Sequence, residues 1–260
     1  MTRPYVIGTN FKLNQTPAES VQFYRQLAAS IDIPADARVF IFPPFTSLAA
    51  VSEAASGGPN EIWLGAQNVH WAPDGAFTGE ISVRMLQALD VDIVLIGHAE
   101  RRQLFHERDS DLNKKVRAVL EAGMRVLFGV GETAEERNFG VSHETILRQL
   151  KIGLREVAPE QLNLLNIAYE PVWSIGAGGT PATPSDVEPI AALIRETLIQ
   201  LFGAAGSEPP ILYGGSVDPR NAGAFTTLPS VDGLLVGRAC WTVEGFVATF
   251  EAGLAGHRQQ

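Results

Sequence analysis

The chain has 260 residues, of which 45% are hydrophobic, and a net charge of −9 at pH 7. This length fits one large α/β domain or two smaller ones, with enough apolar residues for a full core. The acidic balance argues against a nucleic-acid-binding surface, but a small anionic ligand would respond to local charge instead. No apolar run approaches the ~20 residues that span a bilayer, so we expect no association with a membrane.

The sequence also predicts the cellular compartment. Residues 1–5 contain neither a long apolar segment nor a small-residue cleavage site, so we predict no signal peptide. Cys240 is the only cysteine, which suits a reducing environment and leaves no partner for an intrachain disulfide. We therefore predict a cytoplasmic protein.

Short β-branched runs alternate with longer amphipathic runs along the chain. We predict eight strands, at Tyr5–Asn10, Arg38–Phe42, Ile62–Gln67, Asp92–Gly97, Arg125–Val130, Leu164–Glu170, Ile211–Gly214 and Gly233–Val236.

The segments between the strands have helical patterns. In Ile190–Leu201 the aliphatic residues fall on one face, and Thr183-Pro184-Ser185 is typical of a helix start, with proline in the first turn. We predict that two further helices open at Gly79-Glu80 and at Pro219.

Eight βα units in one chain, with strands apolar on both faces, predict a closed parallel (β/α)8 barrel. A doubly wound open sheet is the competing fold, but it needs a glycine-rich dinucleotide-binding turn after an early strand. The first strand instead runs into Asn10-Phe11-Lys12. No linker or internal repeat interrupts the pattern, so we predict that residues 1–260 form a single domain.

Polar residues follow several of the predicted strands, and the strand carboxyl ends of a barrel meet on one face. Each has an ordinary structural explanation by itself, such as a turn, a surface charge or a satisfied buried histidine. Their shared position at strand ends favours a functional site. They are Asn10, Lys12, His98, Glu100, Glu170, Ser216 and Arg238.

These residue types suit one kind of chemistry. Glu170 can accept a proton from a carbon next to a carbonyl, and a neutral His98 at a helix start can donate a hydrogen bond to the carbonyl oxygen. Lys12 and Asn10 can stabilise the charge of an enediolate. Backbone N–H groups near Ser216 and the last strand can hold a phosphate. The pattern predicts proton transfer between adjacent carbons of a phosphorylated sugar, a reaction that requires neither a metal nor an organic cofactor.

The sequence resembles the triosephosphate isomerase family nearly from end to end. The similar segments are Gly8–Asn14, Gly65–Val69, Gly75–Glu80, Ile96–Arg102, Gly131–Thr133, Ala168–Gly176, Tyr213–Val217 and Asp232–Gly237. The resemblance implies a TIM barrel with Glu170 as base and His98 as electrophile, assisted by Lys12 and Asn10.

The resemblance further implies a phosphate-binding site and a mobile loop. The phosphate would be held by Gly176, Ser216, Gly237 and the backbone N–H of Arg238, and residues 174–178 would form a lid. The family is usually dimeric, with the loop Gly75–Glu80 inserted beside the partner's active site, so the resemblance implies a homodimer.

Five positions depart from the family pattern. Phe11 replaces a tryptophan, Ala99 a serine, Gly129 a cysteine and Arg238 a glycine, and the lid carries one extra residue within 178–181. Small residues and a longer lid could enlarge the pocket, so a four-carbon ketose phosphate is a second candidate substrate beside the three-carbon pair.

Two hypotheses from other classes remain open at this point. One is an aldolase that forms a Schiff base through Lys12, although such lysines are typical of a later strand. The other is a barrel kept for binding alone, which the presence of all four candidate catalytic residues argues against.

Overall fold

The strands are short runs of β-branched and aromatic residues buried on both faces, as a parallel sheet covered by helices requires. The structure, a computed structural model, describes residues 3–56, 62–176 and 178–260. Its strands are β1 Tyr5–Asn10, β2 Ala37–Phe42, β3 Ile62–Ala66, β4 Ile93–Ile96, β5 Arg125–Val130, β6 Leu165–Tyr169, β7 Ile211–Tyr213 and β8 Gly233–Val236.

These strands pair in chain order, and β1 also pairs with β8. Every pairing is parallel, so the sheet closes into a barrel. The predicted fold class is confirmed, and the predicted strands match the observed ones to within one residue at each end. The extent of the domain, residues 1–260, stays a prediction.

Helices cover the outside of the barrel in the described part of the chain. They are α1 Pro17–Ser30, α2 Phe45–Ala55, α3 Val83–Gln87, α4 Ala99–Leu104, α5 Asp109–Glu121, α6 Ala134–Asn138, α7 Ser142–Gly153, α8 Pro184–Phe202, α9 Ala222–Thr226 and α10 Val243–His257. None of them is both long and apolar enough to cross a bilayer.

The predicted start of α8 is confirmed. Thr183 precedes the helix and Pro184 is its first residue. The Asp186 carboxylate accepts hydrogen bonds from both the N–H and the hydroxyl of Thr183, at 2.8 and 2.6 Å, which ties the first turn to the residue before it.

Two predicted helix starts are wrong. The helix expected at Gly79-Glu80 begins at Val83, because the Ser82 hydroxyl accepts the N–H of Met85 and caps it there. The helix expected at Pro219 begins at Ala222, because Asp218 and Asn221 first bond to each other in a turn.

The core has two layers. Inside the barrel, inward-facing side chains from the strands pack together, among them Phe40, Phe42, Leu127 and Leu212. A larger layer fills the space between strands and helices. Phe11 belongs to this outer layer: it is fully buried and packs edge-on against Phe23, with ring centroids 4.9 Å apart. A filled barrel leaves the loops after the strands as the place where a site can form.

Candidate active site

A cavity of about 500 Å³ opens at the carboxyl ends of the strands. Residues from the ends of β1, β4, β6, β7 and β8 line it, although they are far apart in sequence. The predicted site residues among them are Asn10, Lys12, His98, Gly176, Ser216, Gly237 and Arg238. The structure therefore brings these predicted residues together at one place.

The turn after β1 fixes the position of Lys12. The side-chain oxygen of Asn10 accepts the N–H of Lys12 at 2.9 Å, and the Lys12 backbone adopts a left-handed conformation with φ of 54°. The amide of Gln67 donates to the carbonyl oxygens of both Lys12 and Phe42, each at 3.0 Å. The Lys12 ammonium then reaches Glu100, with Nζ to Oε1 at 2.7 Å. The strained turn is thus held on both sides by side-chain amides.

His98 directly precedes α4 and is buried. Its Nδ1 accepts the N–H of Glu100 at 3.3 Å, which requires a lone pair on Nδ1 and therefore places the ring proton on Nε2. The arrangement at a helix start agrees with the sequence prediction of a neutral imidazole. The Nε2–H is left as a donor for another partner.

Glu170 follows β6 and is only 1% exposed. Its Oε2 accepts the N–H of Ala99 at 2.7 Å and lies 4.0 Å from Nε2 of His98. The other oxygen, Oε1, is buried and has no hydrogen-bond partner among the described residues. One oxygen is thus anchored beside the imidazole, and the second keeps its capacity to accept a proton.

Gly129, at the end of β5, lies directly behind this carboxylate. A Cβ at Gly129 would be 2.9 Å from the carbonyl oxygen of Gly97 and 3.2 Å from Oε1 of Glu170. The space that a side chain would need is therefore already filled by the backbone of β4 and by the carboxylate itself.

Arg102 connects the carboxyl ends of β4 and β5. Its guanidinium donates to the carbonyl oxygens of Gly97 and Gly129, at 2.9 and 3.0 Å. An ion pair with Asp109, at 2.6 Å, holds the guanidinium in place. This contact fixes the spacing between the strand that carries His98 and the strand behind Glu170.

The lid predicted at residues 174–178 begins next to a buried acid. Oε1 of Glu132 accepts the indole N–H of Trp173 at 2.7 Å and the hydroxyl of Tyr169 at 3.1 Å. Burial raises the pKa of the Glu132 carboxyl, and the hydrogen bonds from Trp173 and Tyr169 oppose that shift. Ala177, within the predicted lid, lies outside the described residues. The first residues of the lid are thus attached to the barrel through Trp173.

The turns after β6, β7 and β8 also line the cavity. They contribute Gly176, Ser216, Gly237 and Arg238, and Asn221 donates to the Ser216 carbonyl at 3.1 Å. A Cβ at Gly237 would be 3.9 Å from Cε of Lys12, which puts the turn after β8 close to the ammonium-bearing side chain. Backbone donors beside a cation suit a phosphate.

Several functional residues had no role assigned from the sequence. Glu100 pairs with Lys12, Gln67 supports the Lys12 turn, Glu132 anchors Trp173, and Trp241 donates its indole N–H to the Asn10 carbonyl at 2.9 Å. Gln67 ends a predicted strand and Glu100 and Glu132 follow two others, so their strand-end position was the available signal. Trp241 follows a strand by several residues, and its contact could not be read from spacing.

The wider-pocket hypothesis gains no support from the structure. Ala99 and Gly129 are absent from the described lining of the cavity, and both lie behind Glu170. Small residues at these positions therefore make room for the carboxylate, and the described residues give no reason to expect a longer substrate.

A parallel barrel with an ammonium and an imidazole at one cavity, and a buried carboxylate 4.0 Å from that imidazole, suits the proton transfer of the aldose–ketose isomerases. In the described part of the chain, no three His, Cys, Asp or Glu side chains gather as a metal site would need.

Comparisons with known proteins assign the family within this class. The family model for triosephosphate isomerase matches residues 5–253. Triosephosphate isomerase from Carboxydothermus hydrogenoformans is 44% identical over 249 residues, covering 95% of this chain and 98% of that protein. The enzyme of the same name from Aquifex aeolicus is 42% identical, covering 93% of this chain and 96% of its own length. The chain belongs to the triosephosphate isomerase family.

Proposed function

We propose that the chain interconverts glyceraldehyde 3-phosphate and dihydroxyacetone phosphate through an enediolate. One observation carries the assignment: the Glu170 carboxylate and Nε2 of His98 lie 4.0 Å apart, beside a cavity that Lys12 and the glycines of the turns after β7 and β8 line. The family membership and the names of the relatives support the same substrates.

Glu170 is the base in this proposal. The carboxylate takes a proton from the carbon beside the carbonyl, and the electron pair of that C–H bond forms the C=C bond of the enediolate. Returning the proton to the neighbouring carbon completes the isomerisation. Oε2 of Glu170 is held by the N–H of Ala99, so the unpartnered Oε1 is the oxygen that is free to take the proton.

His98 is the electrophile. Its Nδ1 accepts the N–H of Glu100, so Nε2–H points its proton at the substrate oxygens as their negative charge develops. A hydrogen bond from a fixed donor gains strength as the carbonyl becomes an enediolate, so it favours the transition state over the substrate.

Lys12 supplies a positive charge for the substrate, and Asn10 holds Lys12 in position. The ammonium of Lys12 stands at the cavity next to Glu100, and Asn10 fixes the turn that places it there. The phosphate would bind the backbone N–H groups of Gly176, Ser216, Gly237 and Arg238 at the other end.

A direct assay tests the proposal. The purified chain should isomerise glyceraldehyde 3-phosphate without added metal or nucleotide. Glu170→Gln should lose about 10²- to 10⁴-fold in kcat, because an amide keeps the shape but cannot accept the proton.

Glu160→Gln is the matched control and should leave the rate unchanged. Glu160 is exposed and precedes the amino end of β6, whereas Glu170 follows the carboxyl end of the same strand. Near wild-type turnover by Glu170→Gln, with the fold intact by circular dichroism, would remove Glu170 from the mechanism.

We also propose that the chain forms a homodimer. Leu13, Phe77 and Met85 are exposed to 99%, 44% and 55% in the single chain. Phe77 and Met85 line a second cavity of about 560 Å³ beside His70. Covering such apolar surface with a second copy removes it from water. Light scattering should give twice the chain mass of 28.0 kDa, and a monomer across the micromolar range would contradict it.

A cytoplasmic location is the remaining part of the proposal. It rests on the single cysteine, Cys240, which is buried and free, as is usual in a reducing compartment. Cell fractionation tests it.

A further inference from the structure

Arg238 holds an unusual position in the cavity. It follows Gly237 in the short 3₁₀ turn Arg238–Cys240 after β8, and it lines the cavity at the proposed phosphate end. The residue is exposed, and its guanidinium makes no hydrogen bond or ion pair with any described residue. A long cationic side chain thus stands free at the entrance to an anion site.

The charges around the cavity make Arg238 different from Lys12. Lys12 and Glu100 line the same cavity, and their ion pair at 2.7 Å largely cancels both charges at a distance. Arg238 has no such counter-ion in the described ranges, so it is the lining residue with an uncompensated positive charge.

The rest of the protein works against an anionic substrate. With a net charge of −9, the chain repels a sugar phosphate at long range. A local cation at the cavity entrance counteracts that repulsion and guides the phosphate group toward the site. The planar guanidinium also matches phosphate oxygens with two parallel N–H donors.

We propose that the guanidinium of Arg238 captures the phosphate group of the substrate, in addition to the contact proposed for its backbone N–H. This inference rests on the proposed function, because it assumes a phosphorylated substrate in this cavity. The side chain acts on substrate affinity and association, and the proton transfer at Glu170 does not depend on it.

The variant Arg238→Gln removes the charge but keeps a polar side chain and the backbone N–H. We expect kcat/KM to fall about two- to tenfold at an ionic strength of about 0.01 M, with the larger change in KM. The inhibition constant for inorganic phosphate should rise in parallel. Both differences should shrink as the ionic strength approaches about 1 M, where charges are screened within ~3 Å. Arg238→Lys should restore most of the loss.

Arg25→Gln is the matched control. Arg25 is an exposed arginine on α1 whose side chain has no ion pair within the described ranges, and it does not line the cavity. Arg25→Gln changes the net charge by the same amount as Arg238→Gln, but away from the cavity. We expect Arg238→Gln, Arg238→Lys and Arg25→Gln to unfold at the same midpoint temperature as the wild type, which would show that the fold is retained.

The result expected is a salt-dependent loss in Arg238→Gln that Arg25→Gln lacks. Equal kcat/KM and equal phosphate inhibition for the two glutamine variants at both ionic strengths would overturn the inference. That result is distinct from failure of the proposed function, in which the unmodified chain itself would not isomerise glyceraldehyde 3-phosphate.

Discussion

The N–H of Ala99 and the carboxylate of Glu170 form a 2.7 Å hydrogen bond that joins the start of α4 to the end of β6. It holds the acid next to His98 while leaving Oε1 of Glu170 without a partner among the described residues. The residues behind the carboxylate therefore decide how far it can move.

Gly129→Ala tests that control of position. The new Cβ would meet the Gly97 carbonyl at 2.9 Å and Oε1 of Glu170 at 3.2 Å, so the backbone or the carboxylate has to shift. We expect kcat/KM to fall about tenfold to a hundredfold, since displacement of a reacting group by about 1 Å can cost that much. The free energy of unfolding should fall by about 1–3 kcal/mol, as is usual for overpacking. Steady-state kinetics and urea denaturation of the same variant separate the two effects. Unchanged kcat/KM would show that Gly129 is a packing residue only.

Lys12→Met should weaken binding as well as turnover. It deletes the ammonium at the cavity and leaves Glu100 without its 2.7 Å partner, so an unpaired negative charge faces the incoming anion. KM and the inhibition constant of inorganic phosphate should both rise, and kcat should fall. The double variant Lys12→Met/Glu100→Gln should recover part of the affinity, because it removes the exposed carboxylate. Unaltered affinity for both ligands in Lys12→Met would refute the electrostatic role.

Deleting residues 178–181 should spare stability and damage the reaction. The segment contributes backbone hydrogen bonds from Gly179 to Gly176 and from Thr180 to Trp173, at 3.3 and 3.1 Å, and few core contacts. We expect the thermal midpoint to stay near the wild-type value. An enediolate that is open to water should lose its phosphate by elimination, so inorganic phosphate should appear during turnover. Clean isomerisation at the full rate would count against a gating loop.

Cys240 should be unreactive in the folded protein. The thiol is fully buried, and burial raises its pKa from 9.0 to about 12. At pH 8, iodoacetamide should label it only after denaturation, as mass spectrometry would show. Because the folded thiol keeps its proton above the pH at which the unfolded thiol loses it, Cys240 should also reduce stability as the pH rises from about 9 to about 12. Rapid labelling of the native protein would show that the turn after β8 opens.

The strands could be predicted from the sequence because burial on both faces selects for short, continuous apolar runs. Tyr5–Asn10 and Arg125–Val130 were predicted with their observed ends. The starts of the short helices α3 and α9 were harder to predict. Hydrogen bonds of the Ser82 and Asn221 side chains with nearby backbone N–H groups set these starts, and not the glycine and proline residues a few positions earlier.

The convergence of the candidate site residues could be predicted from the sequence, but the contacts between them could not. Strand order places Asn10, His98 and Glu170 on one face of a barrel, so their convergence followed from topology. The sequence did not show that Ala99 donates to Glu170 or that Gly129 lies behind it, because those contacts depend on strand register. For that reason Ala99 and Gly129 were interpreted as extra room in the pocket.

The pairing of β1 with β8 has a consequence for hydrogen exchange. A closed sheet has no edge strand from which pairing can be lost one strand at a time, so releasing any strand breaks hydrogen bonds on both of its sides. Amide protons of the strands should therefore exchange with solvent only when the whole barrel unfolds, whereas amides near residues 178–180 exchange through local opening. Hydrogen exchange should therefore separate a slow-exchanging barrel from a faster-exchanging segment at residues 178–180.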